Sequence, residues 1–562
     1  MKLRSDQWFA RDDEVGMEHR AAMRSAGHPV DAIDRRPVIG VLNSVSDLNP
    51  CNLPLRRLAG EVRAGIEAAG GIAVELATMS LGEDLMKPTA MLYRNLMAME
   101  VEETIRANPL DGVVLLGNCD KTLPAQLMGA ASANLPALQI SGGYRRPGLF
   151  RGQEVGAGTD LWRYWDDRRA GRLGDDDWLC LEAALGCSQG ACNVMGTALT
   201  MSMMSEVLGM MLPGASTLPH DDPRLDAKAR ESGSHIVELV HQDIRPERIL
   251  TPEAFHRALQ ALAAIGGSTN AIIHLCAIAG RRRLALALDD FDAAAREAPV
   301  LADVAPIGRH NIAAFDAAGG IQAVLGELDA TADPVVSAAG TPHAGVIRSR
   351  SDPVTDLPAF TVLRGNLAPD GAVLKTAAAR PDLTTHTGPA VVFRGYDDML
   401  ARIDDPELPV SAESVLILTG CGPSGGDGFP EWGMIPIPKK LASKGIDDMV
   451  RISDARMSGT SFGTCVLHVA PEAAAGGPLG AVEDGDIVTI DIVERRLEVD
   501  LPPELIAARL SKRPHPPTRH HRGWPALYQR HVMQAPQGAD LDFLVPRTAE
   551  DVAFVEPTVG RS

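Results

Sequence analysis

Short apolar runs alternate with segments of helical periodicity in the first part of the chain. Arg56–Ala69 and Ala90–Ala107 carry apolar residues at helical spacing, and they stop before a Gly-Gly pair and an Asn-Pro pair, which are typical helix ends. The runs predicted to be strands are Pro37–Leu42, Ile72–Thr78, Asp111–Leu116 and Leu135–Ser141. Strands that alternate with helices indicate right-handed βαβ units and a parallel sheet.

The pattern changes after Thr387, where the runs AVVF, SVLILTG, DIVTIDI and RLEVDL are separated by turns and predict a strand-rich region. The Ala- and Pro-rich segment Ala330–Asp356 has little periodicity and is predicted to be irregular linking structure. We therefore predict an α/β fold in two parts. Residues 1–375 form N-terminal α/β structure with a parallel sheet, and residues 376–562 form a smaller strand-rich, β-barrel-like C-terminal domain.

Three further segments carry predictions of their own. Gly148–Asp177 is polar and is predicted to be a surface excursion. Gly186–Leu212 is apolar and is predicted to be a helix that begins near Cys192, where the helix dipole would lower the pKa of the thiol. The basic tail Lys512–His531, which includes His515, is predicted to be solvated surface.

Composition and charge narrow the classes of function. With 562 residues, 45% hydrophobic and 23% charged, the chain is typical of a soluble protein of two or three domains. Its net charge of −19 argues against nucleic acid and anionic membrane as partners. The polar start lacks a signal-peptide core, no run could span a bilayer, and eight scattered cysteines fit a reduced, cytoplasmic protein.

Candidate chemistry follows three successive predicted strands, at the edge where parallel sheets collect ligands. The loops there carry Cys51, then Glu83, then Cys119 with Asp120 and Lys121. Thiolates suit a sulfur-preferring metal, whereas carboxylates suit magnesium. For Cys119, Asp120 and Lys121, the alternative to a metal site is a buried, inert thiol beside a solvated Asp–Lys pair. Cys192, likewise, is either a metal ligand or a buried, inert thiol.

Cys51, Cys119 and Cys192 lie too far apart in sequence for a zinc ribbon. They could bind an iron–sulfur cluster through three thiolates and leave one iron open. An alternative of another class is a non-catalytic iron–sulfur sensor. A dinucleotide-binding enzyme is disfavoured because no GxGxxG follows the first strand.

An ordered series of motifs resembles the dihydroxy-acid dehydratase/phosphogluconate dehydratase family, and within it the arabinonate- and xylonate-type sugar-acid dehydratases. The motifs span almost the whole chain and include RPVIGVLNSVSDLNPCN, AGGIAVELATMSLGE, KPTAMLYRNL, GVVLLGNCDKT, GACNVMGTA, GGSTNAIIHL, LRGNLAPDGAVLK, GFPEWG, DMVRISDARMSGT and HVAPEAAAGGPLG. Each motif alone is a modest signal, but their order is highly specific.

The resemblance implies a set of site residues. The cluster ligands fall on Cys51, Cys119 and Cys192, and the serine base falls on Ser458 in ARMSGT. The magnesium ligands fall on Glu83, Asp120, Lys121 and Glu431, and the lysine is typically carbamylated in the family. The resemblance favours a 2Fe–2S cluster over 4Fe–4S, a homodimer or homotetramer, and a small sugar acid as the substrate.

The mechanism implied is removal of the C2 proton by a Ser458 alkoxide, with magnesium on the carboxylate and C2 hydroxyl and the open iron taking the C3 hydroxyl. The product is a 2-keto-3-deoxy acid. Branched-chain dihydroxy-acid and phosphogluconate dehydration are alternatives within the family. This chain has Tyr144, Arg145 and Arg146 where sugar-acid members usually have Pro-Met-Leu, so the identity of the sugar acid stays open. The remaining cysteines, Cys180, Cys187, Cys276, Cys421 and Cys465, are predicted to be bystanders.

Overall fold

A computed structural model of the protein describes residues 2–28, 30, 31, 35–329, 345–513, 519–553 and 555–561. A parallel four-stranded sheet in the order β2-β1-β3-β4 organises the N-terminal part, as predicted. Its strands are β1 (Val38–Asn43), β2 (Ile72–Ala77), β3 (Gly112–Leu116) and β4 (Ala137–Ile140). β1, β3 and β4 are buried along their whole length, whereas the edge strand β2 alternates, which explains why the inner strands are uninterrupted apolar runs.

Helices cover the sheet and build most of the N-terminal core. In chain order the helices are α1 (Asp6–Phe9), α2 (Glu14–Ser25), α3 (Leu55–Ala68), α4 (Met91–Ala107), α5 (Thr122–Ala133), α6 (Thr159–Arg169), α7 (Asp175–Leu185), α8 (Thr197–Val207), α9 (Pro223–Gln242), α10 (Pro246–Ile249), α11 (Pro252–Ala264), α12 (Asn270–Arg281), α13 (Leu288–Glu297), α14 (Ile312–Ala317), α15 (Gly320–Leu328), α16 (Tyr396–Arg402), α17 (Lys439–Ala442), α18 (Pro503–Ser511) and α19 (Gly523–His531). No helix in the described part of the chain is long and apolar enough to cross a membrane.

Glycines let two of these helices approach closely. A Cβ atom at Gly65 of α3 would lie 2.0 Å from the carbonyl oxygen of Arg230 in α9. One at Gly233 of α9 would lie 2.1 Å from the carbonyl oxygen of Val62. Both contacts are impossible for a larger residue, so the α3–α9 pair depends on backbone-to-backbone packing.

A closed β-barrel in the order β10-β11-β12-β8-β7-β14-β13-β9 forms the C-terminal part, which confirms the predicted barrel-like fold. Its strands are β7 (Thr361–Gly365), β8 (Ala368–Leu374), β9 (Thr385–Arg394), β10 (Val415–Thr419), β11 (Arg451–Ser453), β12 (Cys465–Ala470), β13 (Ile487–Asp491) and β14 (Arg496–Val499), and a hairpin of β5 (Gly148–Phe150) and β6 (Gln153–Val155) lies outside it. Because β7 and β8 close the barrel, the barrel begins before the boundary predicted at residue 375.

Several segments differ from their prediction. The helix predicted over Gly186–Leu212 spans only Thr197–Val207, so Cys192 lies in irregular chain before it and not at a helix start. A positive φ at Gly190 and its close approach to the backbone of Arg145 keep this stretch out of a helix. The tail predicted to be solvated contains α19, which buries Tyr528. His515 and residues 330–344 of the predicted linker lie outside the described residues.

Candidate active site

A cavity of about 530 Å³ lies between the carboxyl ends of the N-terminal strands and the loops of the barrel. It is lined by seven of the eight residues implied as site residues: Cys51, Glu83, Cys119, Asp120, Cys192, Glu431 and Ser458. The eighth, Lys121, is fully buried and contacts three of those carboxylates. Of the described cysteines, only Cys51, Cys119 and Cys192 line the cavity.

Strand geometry brings the N-terminal residues together. The loops after β1, β2 and β3 carry Cys51, Glu83 and Cys119 to the same edge of the sheet. The side chain of Asn52 joins two of these loops, since its Oδ1 accepts hydrogen bonds from the backbone N–H groups of Asn118 and Cys119, both at 3.1 Å. The two thiol-bearing turns are therefore held in a fixed relation to each other.

The thiols differ in exposure, since Cys51 and Cys119 are buried and Cys192 is half-buried. A hydrogen bond with the Cys51 thiol raises the pKa of Cys119 well above its ordinary value, and burial adds to this effect. Burial raises the pKa of Cys192 to about 12, against the opposing charge of Arg145. The lowered pKa predicted for Cys192 from a helix dipole is therefore wrong for this arrangement, because the residue is half-buried and lies before the helix.

Arg145 is a cation beside the thiols, although sequence reasoning had placed it only among departures from the family pattern. Its guanidinium contacts the Cys51 thiol, and its Nε donates a 3.2 Å hydrogen bond to the carbonyl oxygen of Gly190. Burial lowers the pKa of Arg145, but Cys192, Cys51 and Asp84 more than reverse this. The side chain lines the cavity and brings positive charge to the thiol side of it.

The carboxylates surround one ammonium group. Lys121 Nζ lies 2.7 Å from Asp120 Oδ2, 2.8 Å from Glu431 Oε1 and 3.3 Å from Glu83 Oε2. Burial lowers the pKa of Lys121, but the three carboxylates more than compensate and raise it above its ordinary value. Lys121 thus occupies the position from which a cation contacts all three acids.

The three acids are not equivalent. Burial raises the pKa of Glu83, whose Oε2 has no hydrogen-bond donor in the described structure. Glu431 is equally buried, but Lys121 and Arg456 overcome this and lower its pKa to about 2. Its Oε1 accepts three donors: Lys121 Nζ at 2.8 Å, Asn270 Nδ2 at 2.7 Å and Arg456 Nη1 at 2.7 Å.

Asn270 and Arg456 are site residues that sequence reasoning did not assign. Arg456 is fully buried; besides Glu431 it donates to Asn270 Oδ1 at 3.1 Å and to Thr89 Oγ1 at 3.3 Å. The Thr89 hydroxyl in turn donates to Glu83 Oε1 at 2.8 Å. Asn270 ends the motif GGSTN, and Arg456 lies in the motif ARMSG. The available signal in the sequence was an arginine two positions before the predicted base.

Ser458 lies across the cavity in a small hydroxyl network. Its Oγ is 2.9 Å from Thr460 Oγ1 and accepts a 3.3 Å hydrogen bond from the Thr460 backbone N–H. The Trp162 Nε1–H donates to Thr460 Oγ1 at 3.3 Å, which leaves the Thr460 hydroxyl hydrogen free to donate to Ser458. Trp162 belongs to α6, so the segment predicted to be a surface excursion also lines the cavity.

The donor set fits the chemistry expected of it. Three thiols are the ligand type of an iron–sulfur cluster, and three carboxylates are the type that magnesium prefers. In the present arrangement, however, no three Cys, His, Asp or Glu side chains among the described residues form a ready metal-binding group. The Lys121 ammonium explains this on the carboxylate side, since it already occupies the position between Glu83, Asp120 and Glu431.

Comparison with known proteins gives full-length matches. The N-terminal description of dihydroxy-acid/6-phosphogluconate dehydratases matches residues 36–341, and the C-terminal description matches residues 345–539. The L-arabinonate dehydratase of Rhizobium leguminosarum bv. trifolii and the 6-deoxy-6-sulfo-D-gluconate dehydratase of Pseudomonas putida are each 44% identical, over 97% of this chain and 96% of those proteins. The dihydroxy-acid dehydratase of Methanothermobacter thermautotrophicus is 37% identical, over 93% and 97% respectively.

Proposed function

The chain belongs to the dihydroxy-acid/6-phosphogluconate dehydratase family, and on that premise we propose that it dehydrates a sugar acid (an aldonate) to a 2-keto-3-deoxy acid. It is thus a lyase of the dehydratase class. The relatives named for arabinonate and sulfogluconate are more similar to it than the relative named for dihydroxy acids, which favours the sugar-acid branch. The single observation that carries the proposal is the shared cavity, where Ser458 faces both the thiols and the carboxylates.

We propose that Cys51, Cys119 and Cys192 bind an iron–sulfur cluster of the 2Fe–2S type and that Glu83, Asp120 and Glu431 bind Mg²⁺ together with a carbamylated Lys121. When bound, these groups would supply an electrophile for the substrate carboxylate and C2 hydroxyl, and a Lewis acid for the departing C3 hydroxyl. Carbamylation of Lys121 would replace its ammonium by an anionic oxygen ligand. The surrounding acids would then need an external cation for charge balance.

Ser458 is proposed to act as the base. Its Oγ, as an alkoxide, takes the C2 proton, and the electrons of the C2–H bond form the C2=C3 double bond. The C3–O bond breaks, and the hydroxyl leaves as water with the proton that Ser458 took from C2, which regenerates the alkoxide. The enol then loses its hydroxyl proton and gains one at C3 to become the 2-keto acid. The Thr460 N–H donates to Ser458 Oγ, and the Thr460 hydroxyl, 2.9 Å away, is able to donate to the same oxygen; both donors would stabilise negative charge there.

The test is an anaerobic assay of the protein reconstituted with iron, sulfide and Mg²⁺ on a panel of pentonates, hexonates, 6-phosphogluconate and a branched dihydroxy acid. We expect 2-keto-3-deoxy acid from at least one aldonate. Ser458→Ala should lower kcat roughly a hundredfold or more, whereas Ser443→Ala, at an exposed hydroxyl on the barrel, should leave it unchanged.

Each alternative predicts a different result in the same assay. Turnover confined to the branched dihydroxy acid or to 6-phosphogluconate would replace the substrate class. A protein that assembles the cluster but converts none of the compounds would be the iron–sulfur sensor. Near-normal turnover by Ser458→Ala would remove the base assignment.

Location and assembly are part of the proposal. We propose a cytoplasmic location, because the eight cysteines are all unpaired in the structure and reduced thiols persist in that compartment. We also propose a homodimer or homotetramer, as the resemblance to the family implies. Light scattering on the purified protein should give a mass of two or four chains. A monomer would contradict the proposed assembly.

A further inference from the structure

A second cavity, of about 660 Å³, lies on the barrel beside the end of β10 and helix α18. Its lining is basic and includes Arg394, Arg509, Lys512, Arg513 and Arg519. Glu483 is the acidic residue among the lining side chains. Such a concentration of cations is unusual in a chain whose net charge is −19.

Only some of these cations are neutralised by the chain. Arg509 pairs with Asp486 and, at 3.3 Å, with Glu483, and Arg519 lies 3.0 Å from Asp427 Oδ2. For Arg394, Lys512 and Arg513, no carboxylate lies within ion-pair distance in the part of the chain that is described. The adjoining residues 514–518, PHPPT, include no acidic residue.

Two polar groups in this cavity lack a hydrogen-bond partner among the described residues. Arg513 Nη1 is buried and has no acceptor; it packs directly over Gly480, where a Cβ atom would come within 1.8 Å of it. Thr419 is 1% exposed, lines the cavity and has an unpartnered Oγ1. A buried polar atom without a partner is unfavourable, so both groups favour a ligand that accepts hydrogen bonds. Burial and the charge of Arg394 lower the pKa of Arg513, and the charge of Asp454 only partly offsets them.

We propose that this cavity binds a phosphate group, free or as a phosphate monoester, between Arg394, Lys512 and Arg513. A phosphate carries about −1.5 to −2 charges at pH 7 and several acceptor oxygens. It would therefore neutralise the uncompensated cations better than a single carboxylate, and it would accept from Arg513 Nη1 and the Thr419 hydroxyl. Arginine is well suited to this ligand because its planar fork matches phosphate oxygens.

The site is connected to the active-site cavity through the chain. Gly395, next to Arg394, lines the phosphate cavity, and the following residue, Tyr396, stacks on Trp432 with ring centroids 4.4 Å apart. Trp432 follows Glu431 and lines the active-site cavity. An anion at Arg394 is thus positioned to influence the loop that carries Glu431. An effect of the bound phosphate on dehydration rests on the proposed function, whereas the binding of phosphate does not.

The experiment is calorimetric titration of inorganic phosphate into the reconstituted full-length protein at constant ionic strength, repeated with a hexose 6-phosphate. We expect one saturable site per chain that the double variant Arg394→Gln/Arg513→Gln weakens roughly tenfold or more. The matched control, Arg364→Gln/Arg496→Gln, removes the same charge from another part of the barrel and should bind as the wild type does. Arg145→Gln should also leave this site intact, which separates it from phosphate held in the active-site cavity.

Two results would overturn the proposal: no saturable phosphate binding by the wild type, or equal binding by the double variant. If the double variant unfolds, Lys512→Gln, at an exposed position, takes its place and should weaken binding in the same direction. Tighter binding of the hexose phosphate would assign the natural ligand to monoesters, and equal binding would assign it to free phosphate. A loss of dehydratase activity does not affect this measurement.

Discussion

The active-site cavity and the phosphate cavity differ in how their buried charges are balanced. In the first, Lys121 lies among Glu83, Asp120 and Glu431, and Arg456 adds a second cation at Glu431. In the second, the cations outnumber the acidic Glu483, and neither Arg394 nor Arg513 forms an ion pair in the described structure. Lys121 and Arg456 offset part of the negative charge in the first cavity, and we propose that a bound phosphate offsets the positive charge in the second.

This difference predicts the sign of the effect when a cation is removed. When one member of a buried ion pair is removed, the remaining charge is buried without compensation, and the fold is destabilised. A buried charge without a partner is itself the unfavourable group, so its removal should stabilise the fold. The three substitutions below test this rule in order of expected size.

Lys121→Met should have the largest effect. It leaves three carboxylates facing each other in a buried site, and we expect the free energy of unfolding to fall by about 3–5 kcal/mol in metal-free buffer. Chemical denaturation of the unreconstituted protein measures this change. Mg²⁺ should restore stability more in the variant than in the wild type, since a divalent cation can take the vacated position. Lys439→Met, at an exposed site, is the control, and equal stability of Lys121→Met and wild type would contradict the rule.

The positions of the N-terminal site residues could be predicted because local pattern determines them. Uninterrupted apolar runs identify β1 and β3 as buried parallel strands, and parallel strands deliver their following loops to one edge. Cys51, Glu83 and Cys119 accordingly line one cavity. Cys192 shows where local pattern is insufficient, because glycine geometry and a contact with residues 143–145 make the apolar helix begin later than its composition indicates.

The contributions of the barrel loops could not be predicted from periodicity. Ser458 and Glu431 entered only through the resemblance to a family, since nothing local shows which loop of a second domain faces the first. Arg456 was missed for the same reason: its partner Thr89 is 367 residues away in the sequence. Trp162 was missed because a polar, Arg- and Asp-rich segment is normally solvated, whereas here one face of α6 covers the cavity.

Lys375→Met should give the second largest effect, with the opposite sign. The Nζ of Lys375 is buried at the end of β8 without a hydrogen-bond partner in the described structure, and burial lowers its pKa from 10.5 to about 7. Because the folded pKa lies below the unfolded value, the unfolded chain binds more protons between these two values. Stability therefore rises with pH across this window, and the cost of the lysine is fully present below pH 7.

The substitution should raise the free energy of unfolding by several kcal/mol at pH 7, since each unit by which the pKa is lowered corresponds to about 1.4 kcal/mol. It should also flatten the pH dependence of stability over the same window. Urea denaturation at several pH values from neutral to alkaline provides the measurement, with the exposed Lys444→Met as the control. If the free energy of unfolding of the variant depends on pH as steeply as that of the wild type, Lys375 has a partner in the folded protein.

Arg513→Gln should give the smallest effect and the sharpest comparison with Lys121. In phosphate-free buffer it removes one of two neighbouring guanidinium groups, and relief of that repulsion should stabilise the fold by about 0.5–1 kcal/mol. Saturating phosphate should reverse the order, because the wild type gains RT ln(1 + [L]/Kd) of stability from binding and the variant gains less. Thermal unfolding with and without phosphate measures both states, with Arg496→Gln as the matched control. If Arg513→Gln destabilises the protein in both buffers, Arg513 is neutralised within the fold, and the two cavities do not differ in the way that their geometry indicates.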